Sequence, residues 1–284
     1  MKKLFLALTL VFVINGNALA LSDCPKDTSV EWDNCFGTYT ASDGSTFTVG
    51  FKNDLYDGQG TASYINDDTY TGGFKNGLYH GQGIYIHSNG ATYTGGFKNN
   101  LRHGQGTYTY SDGDIYTGGF KNNLKHGQGT ETFDGDIYTG EYEENDKHGQ
   151  GTMTYHNGDT YTGGYENKLK HGQGTYTFAD GDTYTGGFEN GLSHGQGTYT
   201  FLDGATYTGG FKNNLYHGQG TYNFANGNTY TGGHQDGLRH GQGTMTLKDG
   251  SKYIGSYKNG DTADGVIYEA NGNKLSVIDG EIKN

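Results

Sequence analysis

Aliphatic side chains are scarce in this chain of 284 residues, and their scarcity excludes an ordinary two-layer core. Hydrophobic residues of all kinds make up 31% of the chain, and aromatic residues alone make up 14% of it. Glycine is abundant instead, with 53 residues, which is well above its usual share. Aromatic rings must therefore provide most of the buried apolar surface, packed around a backbone that often carries no side chain.

Cysteine occurs only twice, as Cys24 and Cys35. The pair lacks the C-x-x-C spacing that is typical of metal and redox sites. Two cysteines in an exported chain usually form a disulfide, and closing so short a loop contributes about 2–3 kcal/mol. We therefore predict a disulfide between Cys24 and Cys35.

Long apolar runs are absent except within residues 1–20. Two lysines there precede an apolar run over residues 4–14, and the small residues Ala18 and Ala20 follow it. This order is typical of a secretory signal peptide. A membrane anchor is the alternative, but the run is too short to span a bilayer. The sequence predicts cleavage after Ala20 and export to the periplasm, the envelope or the extracellular space.

Positive charge is in deficit, because 19 lysines and arginines face 31 aspartates and glutamates, for a net charge of −12. An acidic surface argues against nucleic acid as a partner and against general attraction to anionic lipid. The sequence also shows no nucleophile–base pair and no H-E-x-x-H motif. We therefore predict a protein that is not an enzyme and needs no cofactor or metal.

What the sequence contains is a repeat of about 23 residues. The motif His-Gly-Gln-Gly occurs eight times, starting at His80, His103, His126, His148, His171, His194, His217 and His240. The spacing is 23 residues throughout, apart from one step of 22 between His126 and His148. A fixed period of this size indicates a repeat architecture, in which each unit buries its apolar face against its neighbours.

Each unit alternates in the way that two short β-strands require. In residues 92–110, one face carries Tyr93, Gly95, Phe97, Gly104, Gly106, Tyr108 and Tyr110. We predict that a loop over residues 98–103 joins the two strands of the unit. A second loop, residues 111–113, leads to the next unit, and its glycine provides the left-handed conformation of a hairpin turn.

The alternation also predicts which residues pair across the sheet. The predicted pairs are Tyr108–Tyr116 across the short loop, and Tyr93–Tyr108, Gly95–Gly106 and Phe97–Gly104 across the longer one. Rings then lean over glycine backbone, which buries ring area that a single sheet would leave wet. In the 22-residue step, Asp134 and Gly135 form a two-residue turn that keeps the faces in phase.

These units resemble the membrane occupation and recognition nexus (MORN) repeat, whose pattern is Tyr-x-Gly-x-Phe/Tyr, six residues, then Gly-x-Gly. The stretch from Tyr70 to Gly83 fits the pattern fully. The other full matches begin at Tyr93, Tyr116, Tyr138, Tyr161, Tyr184 and Tyr207. Three units depart from it, with Val49 for the first glycine, His234 for the aromatic residue, and Asp264-Gly265-Val266 for the Gly-x-Gly.

The resemblance implies an all-β fold, an elongated and twisted single-layer antiparallel sheet built from about ten 23-residue β-hairpin repeats. It also implies protein association, scaffolding or membrane attachment, with any catalysis left to separate domains. We divide the chain into a signal peptide (1–20), a disulfide-linked cap with half a repeat (21–46), the MORN repeat array (47–266) and a C-terminal capping hairpin (267–284).

The function that we predict is an exported, non-catalytic scaffold that associates with another protein at the cell envelope or outside the cell. The alternative is a carbohydrate- or lipid-binding module, in which tyrosines of the trough act as flat stacking platforms. The candidate trough residues are Tyr93, Tyr108, Tyr116, Tyr184 and Tyr207. The identity of the partner, the oligomeric state and any membrane attachment stay open at this point.

Charged residues and histidines follow the two borders of the predicted sheet. One border is basic in its first half, with Lys52, Lys75, Lys98, Lys121, Arg102, Lys125, Lys147 and Lys170, and the opposite border carries Asp112, Asp114, Asp134, Asp136, Asp180 and Asp182. Such polarity favours either a solvated surface or an edge that docks a partner. The histidine row favours loop structure over metal, because successive units lie roughly 9–10 Å apart and one ion cannot bridge them.

The array breaks its own pattern once, in a segment over residues 131–146 that we name the seam. Glu131 replaces a tyrosine of the ladder, Asp146 replaces a leucine, and Glu141, Glu143 and Glu144 crowd the same unit. The seam is either simple repeat drift or a weak joint and acidic docking patch. A weak joint predicts that Glu131→Tyr stabilises the protein, and that hydrogen exchange is faster at the seam than elsewhere in residues 116–170.

Overall fold

The computed structural model of this protein describes residues 21–27 and 29–283. All regular secondary structure in these residues is β-strand, and 24 strands form one open sheet. The predicted fold class, an all-β sheet of repeated hairpins, is confirmed. The predicted signal peptide, residues 1–20, lies outside the described residues.

Every unit contributes a first and a second strand. The first strands are β3 (Thr46–Lys52), β5 (Thr69–Lys75), β7 (Thr92–Lys98), β9 (Ile115–Lys121), β11 (Asp136–Glu143), β13 (Thr160–Glu166), β15 (Thr183–Glu189), β17 (Thr206–Lys212), β19 (Thr229–Gln235) and β21 (Lys252–Lys258). The second strands are β4 (Leu55–Ser63), β6 (Leu78–Ile86), β8 (Leu101–Thr109), β10 (Leu124–Phe133), β12 (Asp146–Thr154), β14 (Leu169–Thr177), β16 (Leu192–Thr200), β18 (Leu215–Asn223), β20 (Leu238–Thr246) and β22 (Asp261–Tyr268).

The two ends of the sheet carry short extra strands. These are β1 (Ser22–Asp23) and β2 (Cys35–Thr40) at the amino-terminal end, and β23 (Lys274–Ile278) and β24 (Glu281–Lys283) at the other. From β2 onward each strand pairs antiparallel with the next, whereas β1 pairs parallel with β2. A disulfide joins Cys24 to Cys35, and Trp32 packs edge-on against Phe51 with 4.7 Å between ring centroids. The disulfide-linked segment therefore covers the first edge of the array.

Most of the predicted register is confirmed. Tyr93 pairs with Tyr108, Gly95 with Gly106, and Tyr108 with Tyr116. In the shortened step, Phe133 pairs with Asp136, and Asp134 and Gly135 form the two-residue turn between them. The φ angles of Asp134 and Gly135 are both positive, at 50° and 84°. Tyrosine, glycine and threonine therefore form continuous rows across successive strands.

The predicted loop over residues 98–103 is wrong. Lys98 pairs directly with Leu101, and the turn consists only of Asn99 and Asn100, whose φ values are 51° and 66°. Both central residues of a type I′ turn need positive φ, which asparagine tolerates. The second strand therefore begins at Leu101, inside the predicted loop.

The predicted pair Phe97–Gly104 is also wrong, because Phe97 pairs with Arg102. The extra residues of β8 form a bulge around Gly104, whose φ is 80°. The bulge brings the His103 carbonyl oxygen so close to Gly96 that an added Cβ there would overlap it. The second glycine of Tyr-x-Gly-Gly is thus required by a backbone contact.

The core is a row of rings on one side of the sheet. Tyr93 is buried, its hydroxyl donates to the Gly96 carbonyl oxygen at 2.9 Å, and a Cβ added to Gly106 would lie 2.5 Å from its ring. The ring meets Phe97 of its own unit and Phe120 of the next edge-on, both at 5.1 Å between centroids. Each unit therefore completes the burial of its neighbour's ring.

We name the side that carries Tyr93, Phe97 and Tyr108 the aromatic face, and the opposite side the threonine face. On the threonine face, hydroxyls pair across strands, as for Thr107 and Thr117 at 3.1 Å. Among residues 21–27 and 29–283, we find no helical segment with the length and apolarity needed to cross a membrane.

Candidate binding face

The residue that precedes each repeated histidine lies on the aromatic face; we name its place the pre-histidine position. The predicted location on a basic border is wrong for Arg102, Lys125, Lys147 and Lys170, because the second strand continues through the predicted loop. The Arg102 guanidinium carbon lies 4.9 Å from the Tyr108 ring centroid, and Lys170 Nζ lies 4.4 Å from that of Tyr176. A row of four cations therefore runs over the rings in four successive units.

Two of these ammonium groups are substantially withdrawn from water. Burial lowers the pKa of Lys147, and the carboxylate of Glu131 opposes that shift. Burial likewise lowers the pKa of Lys170, and the negative charge of Asp159 opposes that shift. Cation–π attraction is stronger where the cation is desolvated, so the rings stabilise these cations more than they would at a fully exposed site.

Carboxylates of the predicted acidic border connect successive units. Asp182 accepts a hydrogen bond from the Tyr199 hydroxyl at 2.6 Å and from the Leu202 amide at 2.9 Å. Asp159, which the sequence prediction did not include in this border, does the same with Tyr176 and Ala179 one unit earlier. The Tyr176 hydroxyl and the Ala179 amide hold the pKa of the Asp159 carboxyl below its usual range. Asp136 accepts the His156 amide at 2.9 Å. Part of the acidic border is therefore structural.

The candidate trough tyrosines divide into two kinds. Tyr93, Tyr116, Tyr184 and Tyr207 are buried at 0–3% exposure, so their ring faces are covered and cannot serve as open stacking platforms. Tyr108 is half-buried. Two rows of rings along the array reach solvent. One row lies in the second strands, with Tyr85, Tyr108, Tyr176, Tyr199 and Tyr222, and the other precedes the unit-to-unit turns, with Tyr64, Tyr110, Phe133, Tyr155, Phe178, Phe201 and Phe224. A ligand that stacked on the aromatic face would meet these two rows.

A family model, described as the MORN repeat, matches nine consecutive segments of the chain. They are residues 50–69, 70–92, 93–115, 116–135, 138–160, 161–183, 184–206, 207–229 and 230–252. The chain belongs to the MORN repeat family. Repeats of this family form a binding and scaffold module, and the match indicates no enzyme family.

Solved structures similar to this MORN protein share little sequence with it. The TCP10 domain of Danio rerio CPAP, in complex with a STIL peptide, is 11% identical, with a TM-score of 0.44 over 73% of this chain and 94% of that one. Virginiamycin B lyase from Staphylococcus aureus is 8% identical, with a TM-score of 0.14 over 86% of this chain and 83% of that one. No curated protein matches the chain.

The seam keeps the strand pairing of the other MORN units, since β10 and β11 pair from Gly127 to Phe133. Glu131 is half-buried, forms an ion pair with Lys125, and accepts the Tyr142 hydroxyl at 2.9 Å. These partners offset the cost of burying the carboxylate. Because Glu131 is partnered, the stabilisation expected from Glu131→Tyr is smaller than for an unpaired carboxylate.

The remaining acidic residues of the seam have partners of their own or lie in solvent. Asp146 pairs with Lys168 at 2.9 Å, Glu143 lies 3.6 Å from His148 Nε2, and Glu141 Oε1 accepts the Gln150 amide at 3.2 Å. Glu144 is exposed in the turn. The weak joint stays a prediction, and faster hydrogen exchange at the seam than in the flanking MORN units is its measurement.

The histidine row of the MORN units does not converge on one point. Glu166–His171 and Glu189–His194 repeat the exposed contact seen at Glu143–His148, at 3.3 and 3.4 Å. Within the described residues, no group of three or more histidine, cysteine or acidic side chains is placed to hold a metal ion.

His234 replaces the aromatic residue of a MORN unit and predicts a pH effect. It is 6% exposed and meets the Tyr230 and Tyr207 rings edge-on. Burial lowers the pKa of the imidazole, and Arg239 adds to that shift. A base with a lowered folded pKa stabilises the fold above its unfolded pKa, and this stability is lost as pH falls below about 6.5.

His234→Phe is therefore expected to raise the melting temperature more at about pH 5 than at about pH 7.5. Thermal melts of both proteins at the two pH values measure this difference. His240→Phe is the control, since this neighbouring histidine is more exposed. An equal gain at both pH values would show that His234 is not a buried neutral group.

Proposed function

We propose that this protein is an exported, non-catalytic MORN scaffold that binds a segment of a partner protein along its aromatic face. The observation that supports this most is the pair of half-buried ring rows described above, which follow the array from Tyr64 to Phe224. Aromatic side chains and arginine are enriched in protein interfaces, and this face combines both.

The aromatic face also offers concave sites, whereas the threonine face is a plain ladder of hydroxyls. Cavities of about 570, 490 and 280 Å³ open on the aromatic face, around Ser193, Tyr56 and Arg102 respectively. Side chains of an extended partner segment require such recesses at intervals. The spacing of the units therefore favours a partner that contacts several repeats at once.

Export is supported by two features at the amino-terminal end. Residues 1–20 have the pattern of a secretory signal, and the disulfide between Cys24 and Cys35 belongs to proteins of oxidising compartments. The acidic net charge of −12 makes a polyanionic partner unfavourable. We place the partner at the cell envelope or outside the cell.

Carbohydrate binding is the second candidate, because the half-buried rings of Tyr108, Tyr176 and Tyr199 could stack against sugars. The Tyr176 hydroxyl already donates a hydrogen bond to Asp159, and the Tyr199 hydroxyl donates one to Asp182. Lipid binding is less favoured, since the acidic surface repels anionic headgroups.

Site-specific photo-crosslinking tests the scaffold in its native cells. A photoreactive benzoylphenylalanine replaces Tyr110 on the aromatic face, and the matched control replaces Thr94, which is exposed on the threonine face. We expect protein adducts at position 110 that are absent at position 94. Equal adducts at both positions, or none, would overturn the proposal.

Two further measurements separate the alternatives. A glycan array probed with the parent protein and with Tyr108→Ala would favour the carbohydrate candidate if binding were present and lost in the variant. A reporter enzyme that requires disulfides, fused after Ala20, tests export directly. An inactive fusion would contradict export, and the crosslinking experiment would still test partner binding.

A further inference from the structure

The pre-histidine position is filled by a large side chain in eight of nine successive units. In the first of these units Asp57 stands in place of the histidine. In chain order the residues are Tyr56, Tyr79, Arg102, Lys125, Lys147, Lys170, Ser193, Tyr216 and Arg239. Each pairs with the first-strand aromatic residue of its own unit, or with His234 in the last case. Only Ser193 has a side chain too short to reach over the rings.

The unit of Ser193, residues 183–205, is nearly a copy of the unit before it, residues 160–182. The two differ at five of 23 positions, and one of these exchanges Lys170 for Ser193. In the earlier unit, Lys170 Nζ lies 4.4 Å from the Tyr176 centroid, 5.5 Å from that of Tyr161 and 5.7 Å from that of Phe188. In this earlier unit, the space between the three rings is therefore occupied by a lysine ammonium group.

The same kind of walls surround Ser193, whose own side chain carries no ammonium group, and Lys170 of the unit before lines one side of the space. Tyr199, Tyr184 and Phe211 stand where Tyr176, Tyr161 and Phe188 stand one unit earlier. They line an open cavity of about 570 Å³, compared with 490 Å³ beside Tyr56 and 280 Å³ beside Arg102. The carboxylate that accompanies the site is also repeated, because Asp182 accepts the Tyr199 hydroxyl as Asp159 accepts that of Tyr176.

The ring of Phe211 packs against Tyr184 much as Phe188 packs against Tyr161. Its ring centroid is 4.7 Å from that of Tyr184 at an interplanar angle of 69°, whereas Phe188 and Tyr161 are 4.9 Å apart at 78°. Tyr184 also keeps 3% exposure where Tyr161 and Tyr207 have none. The floor of the cavity is closed by Ser193 itself, whose amide and hydroxyl both donate to Asn214 Oδ1, at 2.7 and 3.1 Å.

We propose that this cavity is a binding site for a lysine side chain of the partner, whose primary ammonium takes the place over Tyr184, Tyr199 and Phe211 that Lys170 takes in the unit before. The inference rests on the proposed function, because it assigns the ammonium to a partner protein. A cation held by three ring faces with a carboxylate nearby gains cation–π and charge attraction together. The net charge of −12 adds to the attraction of a basic partner.

An aromatic side chain is the competing occupant, since Tyr79 and Tyr216 stack on Tyr70 and Tyr207 at 3.7 and 3.8 Å in their own units. The ammonium is favoured because the adjacent, nearly identical unit uses one, and five of the eight filled positions carry a cation. Lys125, Lys147 and Lys170 already lie in successive units, so a further cation one unit along fits the established spacing.

Nuclear magnetic resonance titration of the purified protein tests the site with three small probes. These are N-acetyl-lysine methylamide, its ε-acetylated form, which carries no charge, and N-acetyl-tyrosine methylamide. We expect the lysine probe to shift resonances of residues 184–211 with millimolar affinity, and the ε-acetylated probe to bind at least about tenfold more weakly. Added salt should weaken the binding of the lysine probe, because it screens the charge attraction.

Two reciprocal variants make the assignment specific. Ser193→Lys supplies the chain's own ammonium and should abolish binding of the lysine probe. Lys170→Ser opens the same walls one unit earlier and should add a second site, seen as new shifts in residues 161–188. Equal binding of the charged and acetylated probes, or preference for the tyrosine probe, would overturn the ammonium assignment. Unchanged binding in Ser193→Lys would show that the cavity is not the site.

These outcomes are independent of the crosslinking experiment. If position 110 gives no adducts but the lysine probe binds and Ser193→Lys removes it, the cavity stands and the scaffold proposal fails. If adducts form but no probe binds, the scaffold stands and its anchor is not a lysine in this cavity.

Discussion

Gly106→Val is expected to destabilise the protein by about 3 kcal/mol. A Cβ at this position would lie 2.5 Å from both Cε2 and the hydroxyl oxygen of Tyr93. The ring cannot move aside, because Phe97 and Phe120 hold it edge-on from two units and its hydroxyl is bonded to Gly96. Urea denaturation, read as the shift in midpoint at constant slope, measures the loss.

Thr94→Val is the matched control for this prediction. It places the same β-branched side chain in the same hairpin, but on the exposed threonine face. Its effect should stay within about 0.5 kcal/mol. A midpoint for Gly106→Val as high as that of the control would mean that no ring lies over this glycine row.

Tyr116→Ala is expected to cost about 3–5 kcal/mol, since it removes a ring with no solvent exposure from the middle of the array. The ring fills the space between Phe120 and Tyr142, both at 5.1 Å between centroids, and carries Lys125 Nζ at 4.9 Å. Tyr116→Phe keeps the ring and loses only the 2.9 Å hydrogen bond to the Gly119 carbonyl oxygen, so it should cost about 1 kcal/mol.

The comparison of the two variants identifies what holds successive units together. Calorimetric melting of the parent, Tyr116→Phe and Tyr116→Ala gives the two differences on the same scale. Similar losses in both variants would assign the stability to the hydroxyl and not to the packed ring. Hydrogen exchange in residues 93–142 would show whether the loss spreads into the neighbouring units, as nearest-neighbour coupling predicts.

The regular part of the fold could be predicted because it depends on local alternation. Side chains alternate in a strand, so the spacing of Tyr93, Gly95 and Phe97 assigns their face without further information. The same alternation would have placed Arg102 on the aromatic face, had the strand been continued back to Leu101. The missed signal was Asn99-Asn100, a pair that tolerates the two positive φ values of a type I′ turn.

The bulge at Gly104 could not be predicted from alternation. It adds two residues to one strand without changing which face the following residues take, so the pattern of rings is the same with it or without it. It does change the partner of Phe97, and with it the position of the cation row over the rings.

The sequence by itself determined the repeat, the single sheet of hairpins, the glycine and tyrosine rows and the cysteine pair, because each depends on spacing along the chain. Only the tertiary structure decided which tyrosines are accessible. Tyr93 and Tyr108 share a face and a residue type, yet only Tyr93 is covered, since Phe97 of its own unit and Phe120 of the next unit both pack edge-on against its ring. The same holds for the cavity at Ser193, because its walls come from neighbouring units. The spacing of residues within one repeat does not specify the contacts between repeats.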